Sequence, residues 1–579
     1  MKRRAELDTR GRRYPRWTVA VLSMLLVAAF VPQPALAEIL PPSRSISWQP
    51  GVPGGIPRYS VCFNAVTQYG ADPTGVADST QAIQRALDAC PAGQAVYLPA
   101  GTYKTTTTLL ITNEQGVRNN SPLGVVLRGA GPRVTTLNNV STGTTVFFQK
   151  WSTPATRTAI VSGASKGSTS ILVADATSIS VGVGSHILVS QLNSDVLPIT
   201  PIGYGGPPGC TWCGAGENGE DGNRAMTQIV KVTARSGNTL TLDRPLYFDF
   251  TNTPKIQRID LLEGAGLEDL ALEQTSIQAG GDQISAYGMS HCWVRNVESR
   301  QTWATHVRLQ RSRGCEVRDN YLNGAKLVSS GRGYGLFGFG PNSDHLFENN
   351  IIKGSRHSMA LEGGGSGIVF GYNYSVLPLL EDPTWLAEDA VTHGAHPFMN
   401  LWESNEFVKI SMDNTWGSSS HNTFFRNNVT RSRSGTTLAV WAVDIEAKNH
   451  YENLVGNVLT TPGATGLVYR LGMWTPGSGI ENPPSDPVVV DTVYLHGNFD
   501  YVTGATIWAA GNTDRTLPPS LYLAARPVFI GGVWPSIGPD LTPKTTAIPA
   551  RLCYEALGTF DARACYYPSL APPTGLQVR

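Results

Sequence analysis

Three acidic residues in the second half of the chain share one sequence pattern. Glu362, Asp413 and Asp444 each belong to a short segment in which apolar residues alternate with other residues. Such alternation is typical of a strand with one buried face, so the three carboxylates are predicted to point outward at the same strand end. If the segments stack as successive strands, Asp413 and Asp444 are expected roughly 5 Å apart, and Glu362 roughly 10 Å from Asp413.

Paired carboxylates at these separations indicate glycoside hydrolysis. Carboxyl groups about 5 Å apart serve enzymes that retain the anomeric configuration, and groups about 6.5–9.5 Å apart serve enzymes that invert it. Two like charges at the shorter distance raise the pKa of one carboxyl or attract a cation. We predict no resident cofactor and no metal ligand set, with calcium as the ion that clustered acids would take. The alternative is structural, because acids at strand ends can simply accept hydrogen bonds from turn N–H groups.

Histidines crowd the same part of the sequence. Four of the ten histidines lie between residues 357 and 421, on either side of the insertion at 377–396. Long insertions in repeat proteins often line the binding face, and histidine suits proton transfer near neutral pH. We therefore predict that His357 and His421 assist catalysis. His393, His396 and Glu403 are predicted to bind substrate, whereas the spacing of the first two is weak evidence for a metal site.

Basic and aromatic residues complete the predicted site. Lys409 occupies an outward-facing position of its strand, and Arg426 ends the neighbouring strand. Such cations would suit a lyase, because they neutralise a uronate and help to remove its C5 proton. Trp402, like Trp416 and Tyr334, could stack on sugar rings if exposed, and core packing is the alternative for each of them. Lys409, Arg426 and Trp402 are therefore predicted to bind substrate.

An internal repeat predicts the scaffold that positions these side chains. From residue 267 onward, short apolar strands end in an amide or acid followed by another apolar residue, at spacings of 23–41 residues. The residues at this position are Asp269, Asn296, Asn320, Asn350, Asn373, Asn405, Asn428, Asn457 and Asn498. One rung of a parallel β-helix uses such a length, and Asn tolerates left-handed turns while its amide bonds along the stack. The repeat therefore predicts an all-β protein, a parallel β-helix in which the Asn ladder is structural.

The composition agrees with a large β protein. Only 15% of the 579 residues are charged, 41% are hydrophobic, and 61 glycines and 39 prolines are present. Low charge with ample hydrophobic content excludes a disordered chain, and the absence of a glycine period excludes collagen. Coiled coils and helical bundles need far more Ala, Glu, Lys and Leu.

The first 37 residues have the features of an export signal. Seven basic residues precede an apolar run at 18–31 and the cleavage pattern Ala35-Leu36-Ala37. We expect cleavage after Ala37, secretion to the periplasm or the extracellular space, and no membrane attachment afterwards. The remaining chain has 38 basic and 42 acidic residues, so nucleic acid is not an expected partner.

Export makes the eight cysteines candidates for disulfide bonds. Cys292 and Cys315 fall on adjacent predicted rungs, where we expect them to stack inside the core. Cys210 and Cys213 form a lone C-x-x-C, which is weak evidence for zinc. The plausible local pairs, with connectivity left open, are Cys62 with Cys90 and Cys553 with Cys565.

The residues that follow the mature N-terminus resemble a known family. The stretches YGADPTGVADSTQAIQRALDAC, beginning at Tyr69, and AVYLPAGTYKT, beginning at Ala95, combine a turn, a capped helix and a strand. They resemble the opening cap of the pectate-lyase superfamily, and more narrowly its rhamnogalacturonase/epimerase-type and polygalacturonase-like members. The resemblance implies a right-handed parallel β-helix with an N-terminal capping helix. It implies a fold far better than a reaction.

The family does not assign catalytic residues to this chain. Polygalacturonase-like enzymes carry an N-T-D strand, an Asp-Asp pair and a G-H-G turn, and the predicted rungs at 251–505 contain none of them in that form. Thr392-His393-Gly394 matches the last motif only in part.

These signals divide the chain into six parts. Residues 1–37 are predicted as the signal peptide, 38–60 as a linker and 61–154 as the cap with the first rungs. An inserted small β module follows at 155–250, and the remaining rungs at 251–505. Residues 506–579 are predicted as a C-terminal segment that caps the last rung, with a tail.

The sequence favours a secreted enzyme that binds a polysaccharide in a groove along the β-helix and hydrolyses it through paired carboxylates. Two alternatives stay open. One is β-elimination on a uronate-containing polymer, and the other is a non-catalytic glycan-binding or adhesin-like β-helix.

Overall fold

The computed structural model describes residues 39–114, 121–150, 156–193, 224–329, 331–474, 485–556 and 561–566. Most of the elements in these ranges are strands. The predicted signal peptide and the C-x-x-C of Cys210 and Cys213 lie outside the described residues. A helix long and apolar enough to cross a membrane is not found within these ranges.

Two parallel sheets, called sheet A and sheet B here, wind around one hydrophobic core. Each strand pairs with the equivalent strand of the next rung: Val369–Gly371, for example, lies between Leu346–Glu348 and Leu401–Glu403. The repeat of apolar segments produces this stacking because each new rung satisfies the backbone groups of the one before it. The fold is the right-handed parallel β-helix that the sequence predicts.

The 23 described strands of sheet A are Val61–Asn64, Thr74–Asp78, Ala95–Leu98, Gly101–Thr105, Val126–Gly129, Thr135–Asn139, Gly266–Gln274, Trp293–Thr302, Glu316–Arg318, Tyr321–Ala325, Leu346–Glu348, Ile351–Lys353, Val369–Gly371, Tyr374–Val376, Leu401–Glu403, Glu406–Phe407, Thr423–Phe425, Asn428–Val429, Asn453–Val455, Val458–Leu459, Tyr494–His496, Asn498–Asp500 and Ala505–Ile507. Those of sheet B are Leu109–Ile111, Val146–Gln149, Leu262–Glu263, Ile284–Tyr287, Met289–Ser290, Thr305–Arg313, Tyr334–Ser343, Met359–Glu362, Gly365–Ser366, Ala390–Thr392, Ile410–Met412, Val443–Ile445 and Tyr469–Leu471.

The described helices are short. The predicted capping helix is present at Thr80–Ala89, with Ile83, Ala86 and Leu87 buried against the first rungs. The other helical segments are Pro42–Arg44 (3₁₀), Ala65–Tyr69, Pro487–Thr492, Pro549–Ala556 and Ala562–Tyr566.

A ladder of buried asparagines runs along the turn between successive sheet A strands. Each amide donates to the next at 2.9–3.0 Å, from Asn320 through Asn350, Asn373, Asn405, Asn427 and Asn457 to Asn498. Of the two neighbouring residues Asn427 and Asn428, it is Asn427 that belongs to the ladder. The prediction of Asn428 is wrong by one residue because Asn428 already begins a strand.

Aromatic rings stack in the core along the same direction. Phe347, Phe370, Trp402 and Phe424 occupy successive rungs, with ring centroids 4.6, 5.1 and 4.6 Å apart. Trp402 is fully buried. The prediction that it binds substrate by stacking on sugars is therefore wrong, since its strand turns this side chain toward the core.

Three disulfide bonds are formed among the described residues. Cys62–Cys90 and Cys553–Cys565 form as the local spacing suggests. Cys292 and Cys315 lie in the core on adjacent rungs, as predicted, and are bonded to each other.

A closed six-stranded barrel interrupts the solenoid. Its strands are Arg157–Ser162, Ser170–Val173, His186–Ser190, Thr227–Ser236, Thr239–Leu242 and Lys255–Ile259. The barrel contacts the carboxyl ends of sheet B strands, where Thr227 Oγ1 donates to the Gly364 carbonyl at 2.9 Å and Ile229 N donates to Ser343 Oγ at 2.9 Å.

The terminal segments pack along the solenoid. Residues 39–60, predicted as a linker, bury Ile39 and Trp48, and the Trp48 indole donates to the Met399 carbonyl. The C-terminal segment runs back over sheet A, where Tyr522 donates to Glu348 and Ala562 N donates to Asn296. The C-terminal segment is predicted to cap the last rung. That rung is bordered by the antiparallel pair Asn498–Asp500 and Ala505–Ile507.

Candidate active site on the outer face of sheet B

The register of sheet B creates an outward row of polar residues. Leu361 pairs with Thr392, Thr392 with Met412, and Met412 with Ile445. The residues that directly follow Leu361, Thr392, Met412 and Ile445 therefore lie side by side on adjacent rungs. Because Leu361, Met412 and Ile445 face the core, the next residues face outward. This row consists of Glu362, His393, Asp413 and Glu446.

The expected pairing of Asp413 with Asp444 is wrong. Asp444 pairs with Ser411, two positions before Asp413, because its strand does not end there but continues to Ile445. Alternation correctly assigns Asp444 to the outer face, but it cannot detect a shift of two residues between neighbouring strands.

Asp413 holds His393 in its charged form. Nδ1 of His393 lies 2.5 Å from Oδ2 of Asp413, and Thr415 N donates to the other carboxylate oxygen at 2.9 Å. Burial lowers the pKa of His393, but the charges of Asp413 and Glu362 and the hydrogen bond outweigh it and raise this pKa to about 9. Hydrogen bonds to the other ring nitrogen, Nε2, are not formed by any of the described residues. His393 is thus a proton donor at neutral pH.

His357 is in the opposite state. Its Nδ1 lies 3.0 Å from the Glu388 carbonyl oxygen, and a carbonyl only accepts, so Nδ1 carries the hydrogen and Nε2 is the basic atom. Nε2 is buried without a hydrogen-bond partner among the described residues. Burial first, and then the charges of Arg356 and His393, hold the pKa of His357 well below its ordinary value. His357 is thus neutral and able to accept a proton.

The two imidazoles are neighbours. Their ring centroids are 5.3 Å apart, and His357 also stacks on Tyr334 with centroids 5.1 Å apart. Neighbouring groups whose pKa values are driven in opposite directions are the usual arrangement for a general acid and a general base. Burial and the nearby Glu362 also raise the pKa of the Tyr334 phenol, so this tyrosine stays protonated.

Glu362 and Arg356 border the imidazole pair. Glu362 packs so closely on Gly394 that a Cβ there would lie 2.6 Å from its Cγ. Arg356 is partly exposed, and its charge acts on His357, His393 and Tyr334. Within the described residues its guanidinium makes no hydrogen bond or ion pair. Among the described residues, Arg356 is thus the arginine of this site that could bind an anionic ligand.

A second charged cluster lies one to three rungs further on. Arg470 and the Trp441 indole donate to the two oxygens of Asp444, at 2.7 and 2.8 Å. Lys409 is buried 3.6 Å from Asp444 and 3.5 Å from Glu388, with Nζ 5.0 Å from the centre of the Trp441 ring. Lys409 and Asp444 are thus near the imidazole pair but bonded to each other and to protein groups.

The remaining predicted site residues lie elsewhere. His396 and His421 are buried beneath the barrel, where His396 bonds Ser420 at 2.8 Å and His421 stacks on Tyr451. Burial lowers the pKa of each to about 3. Glu403 and Arg426 lie on sheet A under the C-terminal segment: Leu521 N donates to Glu403, and Arg426 makes a two-pronged ion pair with Asp540 at 2.8 Å.

The structure thus brings together His357, Glu362, His393 and Asp413, with Lys409 and Asp444 beside them. It separates His396, His421, Trp402, Glu403 and Arg426 from this face. Arg356, Glu388 and Trp441 were missed as site residues. Arg356 could have been found from its position next to His357, whereas Trp441 is recognisable only from the register. The described residues contain no group of three or more His, Cys, Asp or Glu side chains that could hold a metal ion.

The start of the solenoid matches a known family in sequence. Residues 63–184 match the family described as rhamnogalacturonase A/epimerase, pectate lyase-like. This part of the chain is therefore similar to pectate-lyase-like proteins. The resemblance predicted from the opening cap is therefore confirmed, whereas no curated protein sequence matches the chain.

Several solved structures are similar to this chain at low identity. One is the tailspike gp49 of Pseudomonas phage LKA1, with a TM-score of 0.46 and 14% identity, covering 68% of this chain and 64% of that protein. This chain thus spans less than two thirds of the tailspike. Another is the A-module of the Azotobacter vinelandii mannuronan C-5 epimerase AlgE6, with a TM-score of 0.40 and 13% identity, covering 77% and 96%. A third is the GH87 α-1,3-glucanase of Streptomyces thermodiastaticus, with a TM-score of 0.31 and 16% identity, covering 78% and 70%.

Proposed function

We propose that this protein cleaves an acidic polysaccharide on the outer face of sheet B by acid–base catalysis. The observation that carries the proposal is the pair of imidazoles 5.3 Å apart, one neutral with a buried Nε2 that no described residue hydrogen-bonds and one held protonated by Asp413. General acid–base catalysis needs a donor and an acceptor in these opposite states within reach of one substrate.

The reaction that uses both groups is β-elimination at a uronate. His357 Nε2 takes the C5 proton, and the C–H electrons form the double bond between C4 and C5. The bond between C4 and the glycosidic oxygen breaks, and that oxygen receives the proton of His393. The products are one chain with a new reducing end and one chain with an unsaturated terminal uronate, with no water consumed.

Arg356 accounts for the choice of an acidic substrate. Removal of a proton next to a carboxylate requires that the carboxylate charge be neutralised. The Arg356 guanidinium is partly exposed beside the imidazole pair and has no ion pair among the described residues. An arginine in this state suits a carboxylate, which its planar fork can bind through two hydrogen bonds.

Hydrolysis is the second candidate, favoured by the positions of Glu362 and Asp413. These carboxylates flank His393 in the same outward row, two rungs and therefore roughly 10 Å apart along the stack. Carboxyl groups about 6.5–9.5 Å apart serve inverting glycosidases. Asp413 is bonded to His393 in the structure, so it would have to release the histidine to activate a water molecule.

Product analysis distinguishes the two candidates. The chain from residue 38 is incubated with uronate polymers and with neutral polysaccharides, and reducing ends and ultraviolet absorbance are followed. Elimination gives both signals in equal amounts, whereas hydrolysis gives reducing ends alone. His393→Gln and His357→Gln are expected to abolish the ultraviolet signal, and His291→Gln, which alters a partly exposed histidine beside Glu263, serves as the control. Binding without either product would instead support an adhesin-like role.

We also propose that the protein acts outside the cytoplasm. The described disulfides Cys62–Cys90, Cys292–Cys315 and Cys553–Cys565 support this proposal, because disulfides persist in oxidising compartments. N-terminal sequencing of the exported protein tests the predicted cleavage after Ala37.

A further inference from the structure

The rungs before the imidazole pair present two outward rows of side chains. In one row Ser285, Arg308 and Phe337 are strand neighbours, and in the other Tyr287, Gln310 and Phe339. The residues that alternate with these along each strand, including Val307, Leu309 and Leu336, lie in the core. Phe339 pairs directly with Glu362, so the second row continues without interruption into the candidate active site.

The Arg308 guanidinium lies against the rings of two of these residues, which are tilted by 52° to each other. Its guanidinium carbon lies 5.4 Å from the centre of the Phe337 ring and 5.6 Å from that of Phe339. Asp282 fixes the guanidinium, with Nε 3.1 Å from its Oδ2. Arg308, Gln310 and Phe339 are all partly exposed. An aromatic face beside fixed N–H donors matches a sugar ring, which offers C–H groups on its faces and hydroxyl or carboxylate acceptors at its edge.

Sheet B extends further on this side of His393 than on the other. In the main path of the sheet, six strands precede Ala390–Thr392 and three follow it. At about 4.8 Å per rung, this corresponds to roughly 29 Å before the site and roughly 14 Å after it. The side chains on the shorter side, Asp444 and Arg470, are already bonded to each other. The spacing of the rungs is close to the length of one sugar residue in an extended chain.

We propose that the outer face from Tyr287 to Phe339 binds the longer arm of the polysaccharide, with Arg308 and Phe339, which are partly exposed beside the buried Phe337, holding a sugar ring next to the cleaved bond. The occupant is an extended run of uronic acid residues, because the face is continuous with the imidazole pair and with Arg356, which has no ion pair in the part of the chain that the structure describes. The identity of this occupant rests on the proposed function, whereas binding to the face can be measured without catalysis.

The test measures binding by a protein that cannot turn over. The His393→Gln protein is titrated with a series of uronic acid oligosaccharides from disaccharide to octasaccharide, and with a neutral series of the same lengths. Affinity for the uronic acid series is expected to rise with length over several residues. Adding Phe339→Ala or Arg308→Lys is expected to weaken binding of the long oligosaccharides about tenfold. The Trp508→Ala change, at a partly exposed aromatic outside sheet B, is the matched control, and thermal unfolding confirms that each variant folds.

The outcomes separate this proposal from the proposed function. If folded Phe339→Ala and Arg308→Lys proteins bind every length as the parent does, the binding face is contradicted, whatever the reaction. Suppose that binding depends on Phe339 and on the length of the oligosaccharide, but the native protein releases no unsaturated product. This result would support the binding face and contradict the proposed β-elimination. Stronger binding of the neutral series would overturn the assignment of an acidic occupant.

Discussion

Nδ1 of His393 lies 2.5 Å from Oδ2 of Asp413 on the adjacent rung. This contact joins two residues that are 20 positions apart in sequence, and it raises the pKa of His393 to about 9. Asp444, an outward-facing acid on the next rung, instead binds Arg470 and Trp441. The two aspartates therefore have different expected effects on activity.

Replacing Asp413 with Asn is expected to shift the pH dependence of cleavage. Without the carboxylate the pKa of His393 falls toward its ordinary value, so the alkaline limb of kcat/KM moves down by about 2 pH units. Asp444→Asn is the matched control, and its alkaline limb should stay in place. Equal shifts in the two variants would contradict the assignment of His393 as the acid.

The same ion pair is expected to make stability depend on pH. The folded pKa of His393, about 9, is above its ordinary value of 6.5. Its contribution is therefore complete below about pH 6.5 and is lost as the pH rises through about 9. The largest effect is about 3 kcal/mol. Denaturant unfolding of native and His393→Gln proteins across this range should show the difference shrinking as the pH rises, and a constant difference would contradict the ion pair.

Glu403 is expected to destabilise the fold increasingly as the pH rises from about 4.5 to about 8. Burial beneath the C-terminal segment raises its pKa to about 8 from an ordinary value of 4.5, so folding favours the neutral acid. The stability conferred by a neutral Glu403 is thus complete below about pH 4.5 and is lost as the pH rises through about 8. The melting temperature of Glu403→Gln should match that of the native protein below about pH 4.5, and its excess over the native value should grow up to about pH 8. Glu381→Gln, at an exposed acid, should have the melting temperature of the native protein throughout.

Trp402 is expected to matter for stability alone. Because its ring is stacked between Phe370 and Phe424 in the core, Trp402→Ala should cost about 3–5 kcal/mol of unfolding free energy. Trp402→Phe should cost much less, since it preserves the stack. The affinity of folded Trp402→Phe for oligosaccharides should equal that of the native protein, and a selective loss of affinity would contradict the buried position.

The scaffold could be predicted from the sequence because the repeat has a direct physical cause. Stacked rungs demand apolar strands at regular spacing, and the ladder from Asn320 to Asn498 marks each turn. Alternation also placed Glu362, Asp413 and Asp444 on an outer face. It could not establish which of them are neighbours, because a shift of two residues preserves the alternation and the turns before Ile410 and Val443 differ in length.

The predictions that placed Glu403, Arg426 and His421 at the site are wrong for a different reason. Glu403 and Arg426 belong to sheet A, whose outer face is covered by a segment from about 100 positions further along the chain, including Leu521 and Asp540. His421 is covered by Phe248 of the inserted barrel region. Contacts between such distant parts leave no periodic signal in the sequence, so exposure could not be inferred from the local pattern.

The most direct test of the account is the chemistry of the product. Native protein is incubated with uronate polymers, and the released oligosaccharides are examined by ultraviolet absorbance and mass spectrometry beside the His357→Gln and His393→Gln proteins. The account predicts products that carry an unsaturated terminal uronate and lack one water molecule relative to hydrolysis, with no such products from either variant. Saturated products from the native protein, or undiminished unsaturated products from folded variants, would contradict it.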